Sequence, residues 1–208
     1  MPGSFQAVPP ATGFRRLTPV VLSVPTPIQN LRGRPRVAIL SRLARVAVRL
    51  SARFSDLPLA TLTKDAEGVP QPCAGVYWSV THKSEFVAGV VAAAPVGIDI
   101  EHIRPRSAGL YGHIATAEEW RLGKGIETHL FYRVWTAKEA VLKAEKIGLR
   151  GLSHCRVTAI PDRDHMRLEF DRRPWMVAHY YLSTHVVALT QVADRIQWHI
   201  EPRWSQRR

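Results

Sequence analysis

Long apolar runs and paired cysteines are both missing from this 208-residue sequence. Arg, Pro or Ser interrupts every apolar stretch before it reaches the length of a membrane span, which argues against a transmembrane helix. The two cysteines, Cys73 and Cys155, are far apart and lack a CxxC partner, so neither a thiolate metal site nor a disulfide framework is indicated. A reducing cytoplasm fits this cysteine usage best.

Acidic residues are absent from the first quarter of the chain. Residues 1–55 contain nine Arg and no Asp or Glu. Seven Pro among the first 36 residues argue against an amphipathic targeting helix, so we expect an extended leader over residues 1–35 that lies on the surface or is partly disordered. The formal net charge of +12 favours an acidic partner: nucleic acid, an anionic membrane or an acidic protein.

The remaining sequence alternates helical and strand patterns and predicts an α+β fold. Apolar residues at 39, 40, 43, 46, 47, 50 and 54 indicate a helix over 37–54, whose arginine stripe is either solvated or binds phosphate. A capping box at Thr116–Glu119 opens a short helix that Lys124-Gly125 ends, and 128–146 reads as the central helix. Strands are predicted at 75–80, 86–94, 96–101, 155–160, 166–170, 175–182, 186–192 and 196–200.

Two acidic elements stand out as candidates for chemistry. Asp99 and Glu101 are two apart on a predicted strand, so both project from the same face. Glu139 and Lys143 are four apart on the central helix and share a face. Each alone reads as an ordinary exposed strand edge or helix ion pair. Together they suggest a site for a hard divalent cation such as Mg²⁺, which leaves coordination positions for water and substrate phosphates. His82, at a strand end, faces a cleft or is merely structural.

The same residues resemble the 4'-phosphopantetheinyl transferase superfamily, specifically its longer single-chain (Sfp-like) type. One signature of that family is a small-x-Asp-x-Glu strand, present here as residues 97–101. The second is W-[ST]-x-K-E-[AS]-x-x-K, which matches residues 135–143 without a gap. A third, Ser-His at a strand end, appears as Thr81-His82. The resemblance runs from about residue 36 to 188.

That resemblance implies a pseudo-dimer of two similar α+β halves, 36–95 and 96–208, with the active site at their junction. It implies a monomeric, Mg²⁺-dependent enzyme that moves phosphopantetheine from coenzyme A to a serine of an acidic acyl or peptidyl carrier protein. Asp99, Glu101 and Glu139 would hold the metal, and Glu139 would also act as general base. Lys143 would bind the diphosphate and the departing 3',5'-ADP, and Thr81 and His82 the 3'-phosphate.

The sequence departs from the family's usual basic phosphate ligands. Gly68-Val69-Pro70 lacks the basic residue expected in that loop, and Ala44-Arg45 replaces Gly-Arg in the first helix. Arg36 and Arg45 are the replacements that we predict for coenzyme A binding. The first alternative is an inactive relative that binds coenzyme A or a carrier protein. The second is a basic nucleic-acid-binding protein, although no nucleic-acid reading motif is present. The carrier, and the choice between Mg²⁺ and Mn²⁺, are left open.

A weak internal repeat accompanies these motifs. The segment 77–82, Y-W-S-V-T-H, resembles 181–185, Y-L-S-T-H, and short apolar runs follow both. A decayed duplication would produce two similar halves that meet near 96–101, and chance similarity is the rival explanation.

Overall fold

A computed structural model describes residues 16–123 and 127–201 of the chain. Residues 1–15 of the expected leader, the predicted break at Lys124-Gly125 and the Trp- and Arg-rich C-terminal tail lie outside these ranges. Helices alternate along the described chain with sheets whose main strands pair antiparallel, so the predicted α+β class is confirmed. No helix within the described ranges is long and apolar enough to cross a membrane.

The elements are numbered in chain order. The described helices are α1 (Thr26–Gln29), α2 (Gly33–Phe54), α3 (Tyr111–Ile114), α4 (Ala117–Leu122) and α5 (Thr128–Glu145), with 3₁₀ turns at Ala108–Leu110 and Gly148–His154. The described strands are β1 (Arg16–Leu17), β2 (Val20–Ser23), β3 (Tyr77–His82), β4 (Phe86–Ala92), β5 (Ile98–His102), β6 (Cys155–Ala159), β7 (His165–Phe170), β8 (Arg173–Tyr181), β9 (His185–Thr190), β10 (Arg195–Ile196) and β11 (His199–Ile200). Both long helices and the main strands lie where the sequence predicts them.

The first sheet has the strand order β11-β2-β4-β3 and carries α2 on one face. Glycine permits this contact, because a Cβ at Gly89 of β4 would lie 2.6 Å from the backbone nitrogen of Val48. The buried face of α2 includes Ala44, Ala47 and Val48. Val46, predicted to belong to the core face, is 42% exposed, because the helix turns Ala44, Ala47 and Val48 toward the sheet instead.

The leader prediction is wrong for the segment around β2. Val20 and Val21 are fully buried, and β2 pairs along its length with β4, which places it inside the first sheet. The prolines at 19 and 25 flank the strand, where the missing N–H groups cost no ladder hydrogen bonds. In this segment the prolines therefore flank a buried strand and do not indicate a surface arm.

The second sheet has the order β5-β9-β8-β7-β6 and packs against α5. Helix α5 is buried on most of its circumference, including Tyr132, Val134 and Val141. The predicted capping box is confirmed at α4: Thr116 accepts from the Glu119 amide, and Glu119 accepts from the Thr116 amide. Glu119 also pairs at 2.7 Å with the buried Lys138, which ties α4 to α5.

The two sheets meet along β5. The Ser79 hydroxyl of β3 accepts a hydrogen bond from the Ile98 amide at 3.2 Å, and the Gly97 amide donates to Thr190 Oγ1 at 2.9 Å. The predicted boundary at residue 95/96 lies between β4 and β5. The C-terminal segment does not stay with the second sheet, however, because β10 and β11 return to pair with β1 and β2.

Candidate active site

Asp99 is the most buried carboxylate at the junction of the two sheets, with 5% of its surface exposed. Its Oδ1 accepts a hydrogen bond from Thr81 Oγ1 at 3.0 Å and an ion pair from Lys143 Nζ at 2.7 Å. Its Oδ2 is buried and has no hydrogen-bond partner within the described residues. A buried carboxylate oxygen without a partner carries a desolvation cost that a bound cation would remove.

Glu101, two residues further along β5, is held by groups from both sides of the junction. Lys83 Nζ, from the turn after β3, lies 2.6 Å from Glu101 Oε1. Trp135 of α5 donates its indole N–H to the same oxygen at 3.1 Å. Trp135 therefore does more than anchor its helix, because it also fixes the orientation of a carboxylate.

Glu139 and Lys143 project from adjacent turns of α5 toward β5. Burial raises the pKa of Glu139, and the nearby Asp99 carboxylate raises it further. Lys143 donates to Asp99 and also to the Ile98 carbonyl at 3.2 Å. The helix is brought close enough by Gly97, since a Cβ at that position would lie 1.8 Å from the Ala140 carbonyl oxygen.

These side chains line one cleft of about 310 Å³, with Asp99, Glu101, Glu139, Lys143, Thr81 and His82 on its wall. Lys64, Lys83, Ser41, Ala44 and Val80 complete the lining. Burial and the ammonium groups of Lys143, Lys83 and Lys64 lower the pKa of His82. One part of the cleft is thus acidic, and the adjoining part collects positive charge that suits a phosphate group.

The residues present fit a divalent cation. The oxygens of Asp99, Glu101 and Glu139 do not all lie within 4.8 Å of one another, and ammonium groups pair with two of the three carboxylates. Within the described residues, however, Asp99 Oδ2 has no hydrogen-bond partner, and burial followed by the Asp99 carboxylate raises the pKa of Glu139, so a bound cation would stabilise both carboxylates. Carboxylate oxygens are the protein ligands that Mg²⁺ prefers, and lysines of the same cleft could bind the phosphate groups that complete its coordination.

The structure does not bring every predicted ligand to this cleft. Arg36 contacts the Ser84 hydroxyl, and Arg45 donates to the Leu62 carbonyl at 2.9 Å, so neither lines it. Sequence reasoning missed Lys64 and Lys83 as cleft residues. Lys83 follows His82 directly and could have been considered, whereas Lys64 sits in an irregular loop that offered no signal.

A cleft that combines carboxylates with ammonium groups can hold a divalent cation beside phosphate oxygens, as metal-assisted phosphoryl chemistry requires. The sequence model of the 4'-phosphopantetheinyl transferase superfamily matches residues 95–191, which include β5, α5 and β9. Over this region the chain is therefore similar to the 4'-phosphopantetheinyl transferases, and the predicted resemblance is confirmed.

Curated proteins with that name are similar to the chain over longer stretches. The 4'-phosphopantetheinyl transferase psf-1 of Bacillus pumilus is 29% identical over 137 residues, which are 61% of this chain and 59% of that protein. The 4'-phosphopantetheinyl transferase AcpT of Escherichia coli K12 is 25% identical over 162 residues, 72% of this chain and 77% of that protein. The match to the Bacillus subtilis transferase ffp, 26% identical, covers 45% of this chain and 46% of that relative.

Proposed function

We propose that this chain transfers 4'-phosphopantetheine from coenzyme A to a serine hydroxyl of an acyl or peptidyl carrier protein. The observation that carries the proposal is the shared cleft of Asp99, Glu139, Lys143 and His82, in which a buried Asp99 oxygen has no hydrogen-bond partner among the residues described. The names of the relatives support the same reaction. The chain would be a cytoplasmic monomer, and the carrier's acidic surface would suit its net charge of +12.

The chemistry divides among residues of the cleft. Asp99, Glu101 and Glu139 would hold Mg²⁺, which supplies neutralisation of charge on the diphosphate. The serine oxygen attacks the β-phosphorus of coenzyme A, and the bond to 3',5'-ADP breaks. Glu139 takes the serine proton, directly or through a water, and its raised pKa suits a general base. Lys143 stabilises the negative charge on the departing phosphate.

The 3'-phosphate of coenzyme A would bind in the basic part of the cleft, around His82, Lys64 and Lys83. The Thr81 hydroxyl donates to Asp99 and so cannot give the same proton to a phosphate, which makes Thr81 an orienting group for that carboxylate. His82, with Lys64 and Lys83 nearby, remains for phosphate recognition. Arg36 and Arg45 lie outside the cleft lining. Arg45 is nevertheless close to Lys64, because its charge lowers the pKa of Lys64, although burial of Lys64 is the larger cause of that shift.

The strand and helix order supports an ancestral duplication. In the first half, β2-α2-β3-β4 gives the sheet order β2-β4-β3; in the second, β5-α5-β8-β9 gives β5-β9-β8. All these pairings are antiparallel. We infer two related halves with the site at their junction. The histidines of the sequence repeat are not equivalent, since His82 ends a strand before its turn and His185 begins one after it.

The test is intact mass spectrometry of apo carrier proteins of the fatty-acid, polyketide and non-ribosomal peptide types, incubated with the full chain, coenzyme A and Mg²⁺. We expect a mass gain of one phosphopantetheine that chelator abolishes. Asp99→Ala should lower the rate at least about 100-fold, whereas the exposed Glu67→Ala should match the wild type. Absence of any gain, together with absence of coenzyme A binding, would refute the proposal and favour the inactive relative.

A further inference from the structure

A second cluster of metal-ligating side chains lies beside the cleft. His102 ends β5, His185 begins β9, and the two residues are direct cross-strand partners. Their imidazole rings stack with centroids 4.6 Å apart and planes inclined by 22°. Glu85, from the turn between β3 and β4, places Oε2 at 3.2 Å from His185 Nε2. Ligand atoms of the three residues all lie within 4.8 Å of one another.

We propose that Glu85, His102 and His185 form a binding site for a divalent transition-metal ion of the zinc class. Two imidazoles and one carboxylate form a donor set that suits zinc, whereas Mg²⁺ prefers oxygen ligands alone. In a tetrahedral zinc site with bonds of about 2.0–2.1 Å, ligand atoms stand roughly 3.4 Å apart. The 3.2 Å separation of His185 Nε2 and Glu85 Oε2 already approximates one edge of that tetrahedron.

The surroundings hold His185 in a ligating orientation. Its side chain is fully buried, and the edge of the Phe86 ring packs against it at a centroid distance of 4.9 Å. Thr184 Oγ1 lies 2.9 Å from His185 Nδ1, so the hydroxyl can accept a hydrogen bond from Nδ1–H. That tautomer leaves the Nε2 lone pair directed at Glu85, where the metal would sit.

The cluster also leaves room for a fourth ligand. Glu85 and His102 line a cavity of about 340 Å³ that extends to Glu101, Arg104 and Arg106. A single water occupies about 30 Å³ of liquid volume, so the cavity can supply a water as the fourth ligand. Three protein ligands with one open position are the arrangement of catalytic zinc sites, whereas structural sites are closed by four protein ligands. This inference does not depend on the proposed transferase activity.

The test is zinc binding to the metal-stripped full chain, measured by competition with a chromophoric chelator and by native mass spectrometry. We expect one Zn²⁺ per chain, with the affinity lowered at least about 100-fold in His102→Ala and in Glu85→Gln. Both residues are half-buried, so these variants should fold, and circular dichroism checks that they do. His165→Ala removes a histidine paired with Asp162 at the surface and serves as the matched control with unchanged affinity.

Cobalt(II) substitution separates the candidate ligands. Binding here should give visible bands without thiolate charge transfer, because Cys73 and Cys155 are not among the ligands. Equal zinc affinity in wild type and His102→Ala would overturn the proposal and leave a metal-free His–Glu pair. Loss of zinc binding in Asp99→Asn, with retention in His102→Ala, would also overturn it by placing the ion in the cleft.

Discussion

Replacement of Gly97 by alanine tests how the cleft is assembled. Gly97 immediately precedes the strand that carries Asp99 and Glu101, and it lies against the helix that carries Glu139 and Lys143. An added Cβ would lie 1.8 Å from the Ala140 carbonyl oxygen and 2.9 Å from the Ala144 amide nitrogen. Real Cβ contacts stay above 3.0 Å, so strand and helix would have to separate by about 1.2 Å.

The loss of stability expected for Gly97→Ala is large because the contacting groups cannot move away. Both contacting groups on α5 are backbone, so no rotamer change relieves them. The Gly97 amide is fixed at 2.9 Å to Thr190, and its carbonyl accepts from the Thr190 amide at 3.0 Å. Overpacking in a core costs typically about 1–3 kcal/mol and occasionally more. We expect a loss of about 3 kcal/mol or more from the free energy of unfolding, a large share of the ~5–15 kcal/mol typical of domains.

The assay is urea denaturation followed by tryptophan fluorescence, with coenzyme A binding measured on the folded variant. Separation of strand and helix should also lengthen the Asp99–Lys143 ion pair of 2.7 Å and weaken coenzyme A binding. Gly112→Ala is the control: it lies in α3 with nothing within 4 Å of the added Cβ, and should change stability by no more than about 1 kcal/mol. A Gly97→Ala protein with wild-type stability would refute the reasoning.

Three further predictions concern the core and its ionisable groups. Leu22→Ala should lower the free energy of unfolding, measured by urea denaturation, by about 2–5 kcal/mol, because β2 is buried. Leu149→Ala, at a site that is 57% exposed, should be nearly neutral. Equal effects of the two substitutions would contradict the burial of residues 20–23. Burial lowers the pKa of His179 to about 3, so only the unfolded chain takes up a proton at this histidine as pH falls below about 6.5. The free energy of unfolding of the wild type should therefore drop by about 2 kcal/mol between pH 7 and 5, a loss that His179→Gln should not show. Parallel pH profiles of stability for the two proteins would contradict this. Burial raises the pKa of Glu139, so the folded chain binds more protons than the unfolded chain just above the ordinary carboxyl range, and wild-type stability falls as pH rises there. Glu139→Gln should therefore be more stable than wild type at pH 7 without metal, by a margin that shrinks on acidification, and inactive in transfer. A variant less stable than wild type at pH 7 would argue against a cost of burying this carboxylate.

The sequence predicted the helix and the strand that carry the cleft residues, but not the contacts that bring the two together. The helix over 128–146 and the strand over 96–101 were readable because period and turn residues agreed, and local spacing placed Glu139 beside Lys143 and Asp99 beside Glu101. The two pairs come together because Gly97, which has no Cβ, lets β5 lie close to α5. A glycine before a strand does not report that contact until the helix that packs on it is known.

The errors have a common physical origin in long-range pairing. Val20–Ser23 is only four residues long, flanked by prolines, and becomes a strand because β4 and β11 lie on either side of it. Lys64 enters the cleft from a loop whose path no periodic pattern describes. The pairing of β5 with β9 brings His102 to His185, and Glu85, 100 residues before His185, reaches it from the turn between β3 and β4. Local sequence patterns do not predict such long-range contacts.

The most direct test of the central claim is calorimetric titration of coenzyme A into the full chain with and without Mg²⁺. If the cleft holds the cation and the diphosphate together, Mg²⁺ should tighten coenzyme A binding at least tenfold, about 1.4 kcal/mol, in the wild type. Asp99→Asn should still bind coenzyme A through its basic groups but lose the Mg²⁺ effect. Wild-type affinity that is indifferent to Mg²⁺, or an Mg²⁺ effect that persists in Asp99→Asn, would contradict the account.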